Sequence, residues 1–191
     1  MNRRDALSRV ALLLGGTIIG GEVFLSGCTS ADKKLGQSLD FTPDDVAFLD
    51  EVAETIIPRT DTPGAKDAKV GEFMTVMVKD CYDEKNQKIF LDGMTKLNEA
   101  SRKKFNGNGF MKITPEQRKE LLTGLDKEQK DYAKSKKKED EPHYFTQMKQ
   151  LTLLGFFTSE PGATKALRYV AVPGRFDACV PYKKGDKAWA L

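Results

Sequence analysis

From residue 42 onward the apolar positions recur at helical spacing. Thr42-Pro43-Asp44-Asp45 reads as an N-cap, a proline at the first helical position and acids in the first turn. Val46, Leu49, Val52, Ala53 and Ile56 then fall along one face, and Pro58 ends the segment. Val70, Phe73, Met74, Met77 and Val78 mark a second helix. Ile89, Phe90, Met94 and Leu97 mark a third that runs towards Phe105, and Asn106-Gly107-Asn108-Gly109 closes it. Thr114-Pro115-Glu116-Gln117 has the form of a capping box and leads into Leu121, Leu122, Leu125 and Tyr132. A fifth helix carries Tyr144, Phe145, Met148, Leu151, Leu154 and Phe157. After Pro161 glycine and proline break the rhythm, and the tail is expected to wrap the bundle or a neighbour. The pattern predicts an all-α fold: one irregular helical domain of about five helices over residues 42–191, ending in an extended Gly/Pro-containing tail.

The stretch before this domain follows a different logic. Val10 to Leu25 is the most apolar run in the chain, but Gly15, Gly16, Gly20 and Gly21 dilute it and Glu22 sits near its end. A stable span wants about 20 mainly apolar residues. A basic start (Arg3, Arg4, Arg9), a moderately apolar middle and small residues before a processing point instead describe a cleaved signal peptide over residues 1–27. Leu25-Ser26-Gly27-Cys28 resembles the bacterial lipobox, which makes Cys28 the acylated first residue of the mature chain. At about 0.8 kcal/mol per buried methylene, two or three acyl chains tether a domain without a spanning helix. Residues 28–41, polar and aperiodic after the cysteine, read as that lipidated N-terminus and tether. Asn2-Arg3-Arg4-Asp5-Ala6-Leu7 resembles the twin-arginine export signal at Arg3, Arg4 and Leu7. It departs at Asn2, Ala6 and Ser8, and a general secretory signal is the alternative. The glycine-rich, weakly apolar middle favours the twin-arginine translocase. That route carries folded cargo, typically loaded with a cofactor, into the bacterial periplasm.

Composition narrows the functional classes. The 191 residues carry a formal charge of +3, and losing Arg3, Arg4, Arg9, Asp5 and Glu22 with the signal leaves +2. So even a balance makes no electrostatic case for nucleic acid. Lys134 to Pro142 is a charge run and reads as a solvated loop. No glycine-rich dinucleotide fingerprint or phosphate loop follows a strand. Haem attachment, zinc and iron–sulfur sites need clustered Cys and His, whereas the mature chain offers Cys28, Cys81, Cys179 and His143. His143, after Pro142, reads as a helix-start residue, and Glu51 and Glu54 read as solvated carboxylates on a polar face. The expectation is therefore no catalytic residues, no metal and no cofactor bound by this chain. An export address suited to loaded cargo, on a chain with little to hold a load, points to escort of a cofactor-bearing partner.

Three stretches carry a family resemblance: "VAETIIPRTDTPGAKDAKV" at 52–70, "TSEPGATKALRYVAVPGRFDACVP" at 158–181, and Ala188-Trp189. From about residue 44 onward the chain resembles the gluconate 2-dehydrogenase subunit 3 family, with Pro161 standing where that family's block has a residue such as Val. The resemblance implies a small, non-catalytic subunit of a membrane-associated dehydrogenase complex. Its large partner is an FAD-dependent flavoprotein of the glucose-methanol-choline type that oxidises sugars, polyols or sugar acids, and a cytochrome c subunit often takes the electrons. The small subunit supplies the export signal and the flavoprotein crosses with it, already folded around FAD. Residues 59–70 and 159–181 are then expected to lie against the flavoprotein. Two rival classes are an enzyme in its own right and a stand-alone surface lipoprotein that binds glycan or another protein. Cys81 and Cys179 would face an oxidising compartment. An internal disulfide, two buried thiols and a bridge from Cys179 to the partner are the three arrangements open to them.

Overall fold

The structure is a computed structural model, and it describes residues 39–190 apart from 138, 173 and 176–178. Five α-helices are present among the described residues: α1 Pro43–Ile56, α2 Val70–Cys81, α3 Glu84–Lys104, α4 Pro115–Ser135 and α5 Tyr144–Thr158. A 3₁₀ turn, Phe110–Lys112, joins α3 to α4, and a π-helical turn, Gly162–Ala166, follows α5.

Local chemistry sets the helix starts where the sequence places them. Thr42 Oγ1 accepts the Asp45 N–H at 3.2 Å while the Thr42 N–H donates to Asp45 Oδ2 at 2.8 Å, so two orphan donors of α1 are satisfied reciprocally. Thr114 and Gln117 repeat the arrangement at α4. Asp83 caps α3 by accepting the Asn86 N–H at 2.8 Å. His143 caps α5 through Nδ1, which accepts the Phe145 N–H at 3.3 Å, and this is the helix-start role expected of it.

The core is one cluster drawn from all five helices and the 3₁₀ turn. α1 contributes Phe48, Leu49, Val52 and Ala53; Phe48 is fully buried, edge-on to Phe110 with ring centroids 5.4 Å apart. The inward face of α1 is thus centred on 45, 48, 49 and 52, with Val46 and Ile56 at its margin. α1 and α2 approach closely at Gly71, whose N–H donates to Asp50 Oδ1 at 2.8 Å. A Cβ there would lie 2.6 Å from that oxygen and 2.7 Å from the Val46 carbonyl oxygen. α5 is the hub: it packs on α1, α2, α3, α4 and the π turn. Its inward residues, Phe145, Met148, Leu151, Thr152, Gly155 and Phe156, are all buried.

Two carboxylates read from the sequence as solvated prove to be structural. Glu54 accepts the N–H groups of Arg59 at 2.8 Å and Lys66 at 2.9 Å, closing the loop after α1 onto the end of that helix. Glu51 pairs with both Lys66 and Arg118. Arg118 in turn donates to the carbonyl oxygens of Phe110 and Met111 at 3.1 Å, so one side chain joins α1, the 3₁₀ turn and α4. Neither role is visible in helical periodicity, because Lys66 stands 12 positions from Glu54 and Arg118 stands 67 from Glu51.

Chain geometry beyond α5 yields a pair of opposite expectations. A Cβ on Gly162 would sit 1.8 Å from the Phe156 carbonyl oxygen. Gly162→Ala is therefore expected to displace the π turn from α5 and cost about 1–3 kcal/mol, as overpacking does. Gly124, exposed within α4, has nothing within 4 Å of such a Cβ. Gly124→Ala is expected to stabilise by up to about 1 kcal/mol through helix propensity. Urea unfolding followed by circular dichroism measures both.

Candidate partner-docking surface

The fifth helix has more apolar surface than the bundle covers. In the sequence, Met148, Leu151, Leu154 and Phe157 form one series spaced by three. Three residues turn a helix through about 300°, so each step falls about 60° short of a full turn. The series begins in the core and ends on the opposite side. Leu154 is 46 % exposed and Phe157 40 %, with Leu153 beside them, while Thr152, Gly155 and Phe156 take the inward places. Of the apolar residues that mark the fifth helix, Leu154 and Phe157 therefore lie outside the core, and the threefold spacing itself is the signal for it.

The two ends of the tail beyond the π turn come back together, and its described residues are largely exposed. The Arg168 N–H donates to the Ala188 carbonyl oxygen at 2.8 Å, and the Ala190 N–H donates to the Arg168 carbonyl oxygen at 2.8 Å, making one parallel bridge. The Arg168 guanidinium lies 4.6 Å from the centroid of the Trp189 ring, a cation–π contact across the same bridge. Lys187 Nζ adds a bond to the Lys165 carbonyl oxygen. Between these ends the loop turns at Gly185, where φ is +99°. Its large side chains face outward: Tyr182 is 77 % exposed and Trp189 55 %, with Tyr169 and Val172 exposed as well. Of the two segments read as partner-facing, 59–70 is held by this domain's own groups, with Ala65 and Val70 fully buried. The second, 159–181, continues in helical form as far as Ala166, and its described residues from Arg168 onward are exposed.

Elsewhere an open groove of about 310 Å³ lies between α1, α4 and α5. Ile56, Leu122 and Phe145 line it with Lys119, Asp126 and Lys149. Asp126 is bound to Lys130 at 2.6 Å and Lys149 at 2.5 Å, and these ammonium groups hold its carboxyl down at about 2. A carboxylate so acidic is poorly matched to general acid–base work near neutrality. Among the described residues no group of three or more His, Cys, Asp or Glu is placed to hold a metal ion, and no helix is long and apolar enough to cross a membrane.

Cys81 closes α2 and Cys179 lies in the tail; both are free thiols exposed at the surface, so neither is a core cysteine. Arg3, Arg4, Leu7 and Cys28 lie outside the described residues.

A small helical domain with apolar side chains turned outward on its central helix and its tail has the character of a subunit. The family model for gluconate 2-dehydrogenase subunit 3 matches residues 43–174, well over half of the chain, and the chain belongs to that family. No curated protein and no solved structure matches it. Membership makes this an accessory component of a dehydrogenase complex, associated with a catalytic subunit.

The Asp126 cluster gives a pH prediction. A carboxyl whose pKa is lower in the folded than in the unfolded chain adds stability above its unfolded value, ordinarily 3.8, and loses it as pH falls through the folded value of about 2. Stability should therefore decline from about pH 4 to pH 2, with Asp126 supplying up to about 1 kcal/mol, since the pair is partly solvated. Asp126→Asn should flatten that limb in urea titrations between pH 5 and pH 2.

Proposed function

We propose that this chain is the non-catalytic small subunit of a membrane-tethered, FAD-dependent dehydrogenase of the glucose-methanol-choline type. The partner oxidises a sugar, polyol or sugar acid and passes electrons to a cytochrome c subunit. The chain escorts the folded flavoprotein through the twin-arginine translocase and then holds it at the periplasmic face of a membrane through lipid on Cys28. Family membership carries this reading, and the N-terminal sequence supports the route. Arg3, Arg4 and Leu7 match the export signal, and Leu25-Ser26-Gly27-Cys28 matches the lipobox.

The export half is tested by changing Arg3 and Arg4 to lysine in the producing bacterium. The flavoprotein should remain in the cytoplasm with its FAD, and periplasmic dehydrogenase activity should be lost. Export of the flavoprotein at the wild-type level would refute the escort. The anchoring half is tested by Cys28→Ser. The expected result is no incorporation of labelled palmitate, with the protein either released or left unprocessed; retained label would refute lipidation at Cys28.

A further inference from the structure

We propose that the catalytic subunit docks on the outer side of α5 and on the doubled-back tail, with Leu154, Phe157 and Trp189 at the apolar centre of the contact and the tail's cations around it. This rests on reading the chain as a subunit of a dehydrogenase, and it names the surface and the chemistry of what meets it.

The first argument is the helix itself. Neighbouring apolar side chains left exposed together on a folded domain mark a place where another molecule sits. The bundle covers α5 from within, and Leu153, Leu154 and Phe157 are left outward on a rigid element. The second is the tail. Tyr, Trp and Arg are the side chains enriched at the centres of protein interfaces, and here Tyr182 and Trp189 stand outward on a loop closed by backbone hydrogen bonds, with Arg168 against the Trp189 ring.

Charge selects the occupant. Residues 165–190 hold Lys165, Arg168, Arg175, Lys183, Lys184 and Lys187 against Asp177 and Asp186, a formal +4, whereas residues 28–191 together carry only +2. The remainder, residues 28–164, is therefore slightly acidic, and the positive charge is gathered in the tail. A second copy packed across a two-fold axis would bring this patch against itself, and like charges set face to face are unfavourable. A surface that offers an apolar patch ringed by carboxylates fits instead. An anionic lipid surface would favour a basic amphipathic helix lying flat. α5 presents uncharged Leu153, Leu154 and Phe157, and its one basic residue, Lys149, is paired with Asp126.

The test uses the full chain, tagged and co-produced with the flavoprotein in the bacterium. The readouts are flavin recovered with the tagged chain, periplasmic dehydrogenase activity and the melting curve of the subunit alone. Leu154→Asp with Phe157→Asp, and separately Trp189→Asp, should each lower recovered flavin more than tenfold while leaving the melting curve unchanged. Met111→Asp, on the exposed 3₁₀ turn, should leave flavin recovery at the wild-type level. Lys183→Glu with Lys184→Glu lies on the tail, clear of the core, and keeps the question decidable if the α5 variant fails to fold. It should weaken recovery at low salt and reduce its salt dependence. Wild-type recovery of flavin by the folded α5 and tail variants would overturn the docking surface while leaving the escort function standing. Failure of the wild-type chain to bring down any flavoprotein would overturn both. Retained flavin in variants that instead lose self-association, or lose binding to phosphatidylglycerol vesicles, would assign the surface to a second copy or to lipid and overturn the proposal.

Discussion

Everything in this fold leans on α5, because among the described residues it packs on every other helix. Fifteen residues with a single basic side chain, Lys149, cannot stand alone in water as a stable element. Its helical form is sustained by what it buries: Met148, Leu151 and Phe156 fill the centre of the cluster, and Gly155 lets the Phe73 ring of α2 approach its backbone. Burial of each such large side chain is worth about 1.5–3 kcal/mol. α1 to α4 supply a polar outer face each, and α5 supplies the interior they share. That arrangement also leaves the hub with apolar side chains to spare, at the end where the chain leaves the bundle.

Charge works in this domain mainly as fastening. Glu54 gathers two N–H groups of the loop after α1, Glu51 pairs across the fold with Lys66 and Arg118, and Asp126 ties α4 to α5 through Lys149. Each carboxylate reaches backbone donors or cations that come from another segment of the chain. Burial raises the Asp50 carboxyl above its ordinary range, and the Gly71 N–H pulls it part of the way back. These charged groups are thus occupied in fastening separate segments of the domain to one another.

A subunit of this kind has to meet two conditions at once. It must fold around its own core, and it must still present surface worth covering. The two are divided along the chain. The buried core is drawn from residues between Phe48 and Phe156, while Leu153, Leu154 and Phe157 at the end of α5 and Tyr169, Val172, Tyr182 and Trp189 on the tail are exposed, and the tail is closed by its own hydrogen bonds. A surface held in shape before contact loses less conformational entropy on binding than a disordered one.

Much of this was legible in the sequence because its causes are local. Thr42 and Thr114 lie within three residues of the groups they cap, so those two helix starts could be read directly. Apolar spacing showed an all-α domain of about five helices, and the strings around Ile56-Ile57-Pro58 and Ser159-Glu160-Pro161 carried the family. The tertiary structure decided what depends on partners far along the chain. Glu51 and Glu54 look alike as exposed acids on one helix until a loop and an arginine 67 positions away reach them. Leu154 and Phe157 look like core until a small mismatch between a spacing of three and a turn of 3.6 residues is accumulated and the neighbours of α5 are in place. Trp189 looks like a loose end until Arg168 pairs with it. Capping and periodicity act over one or two turns, whereas the side of a helix that stays uncovered is set by the packing of every other element against it.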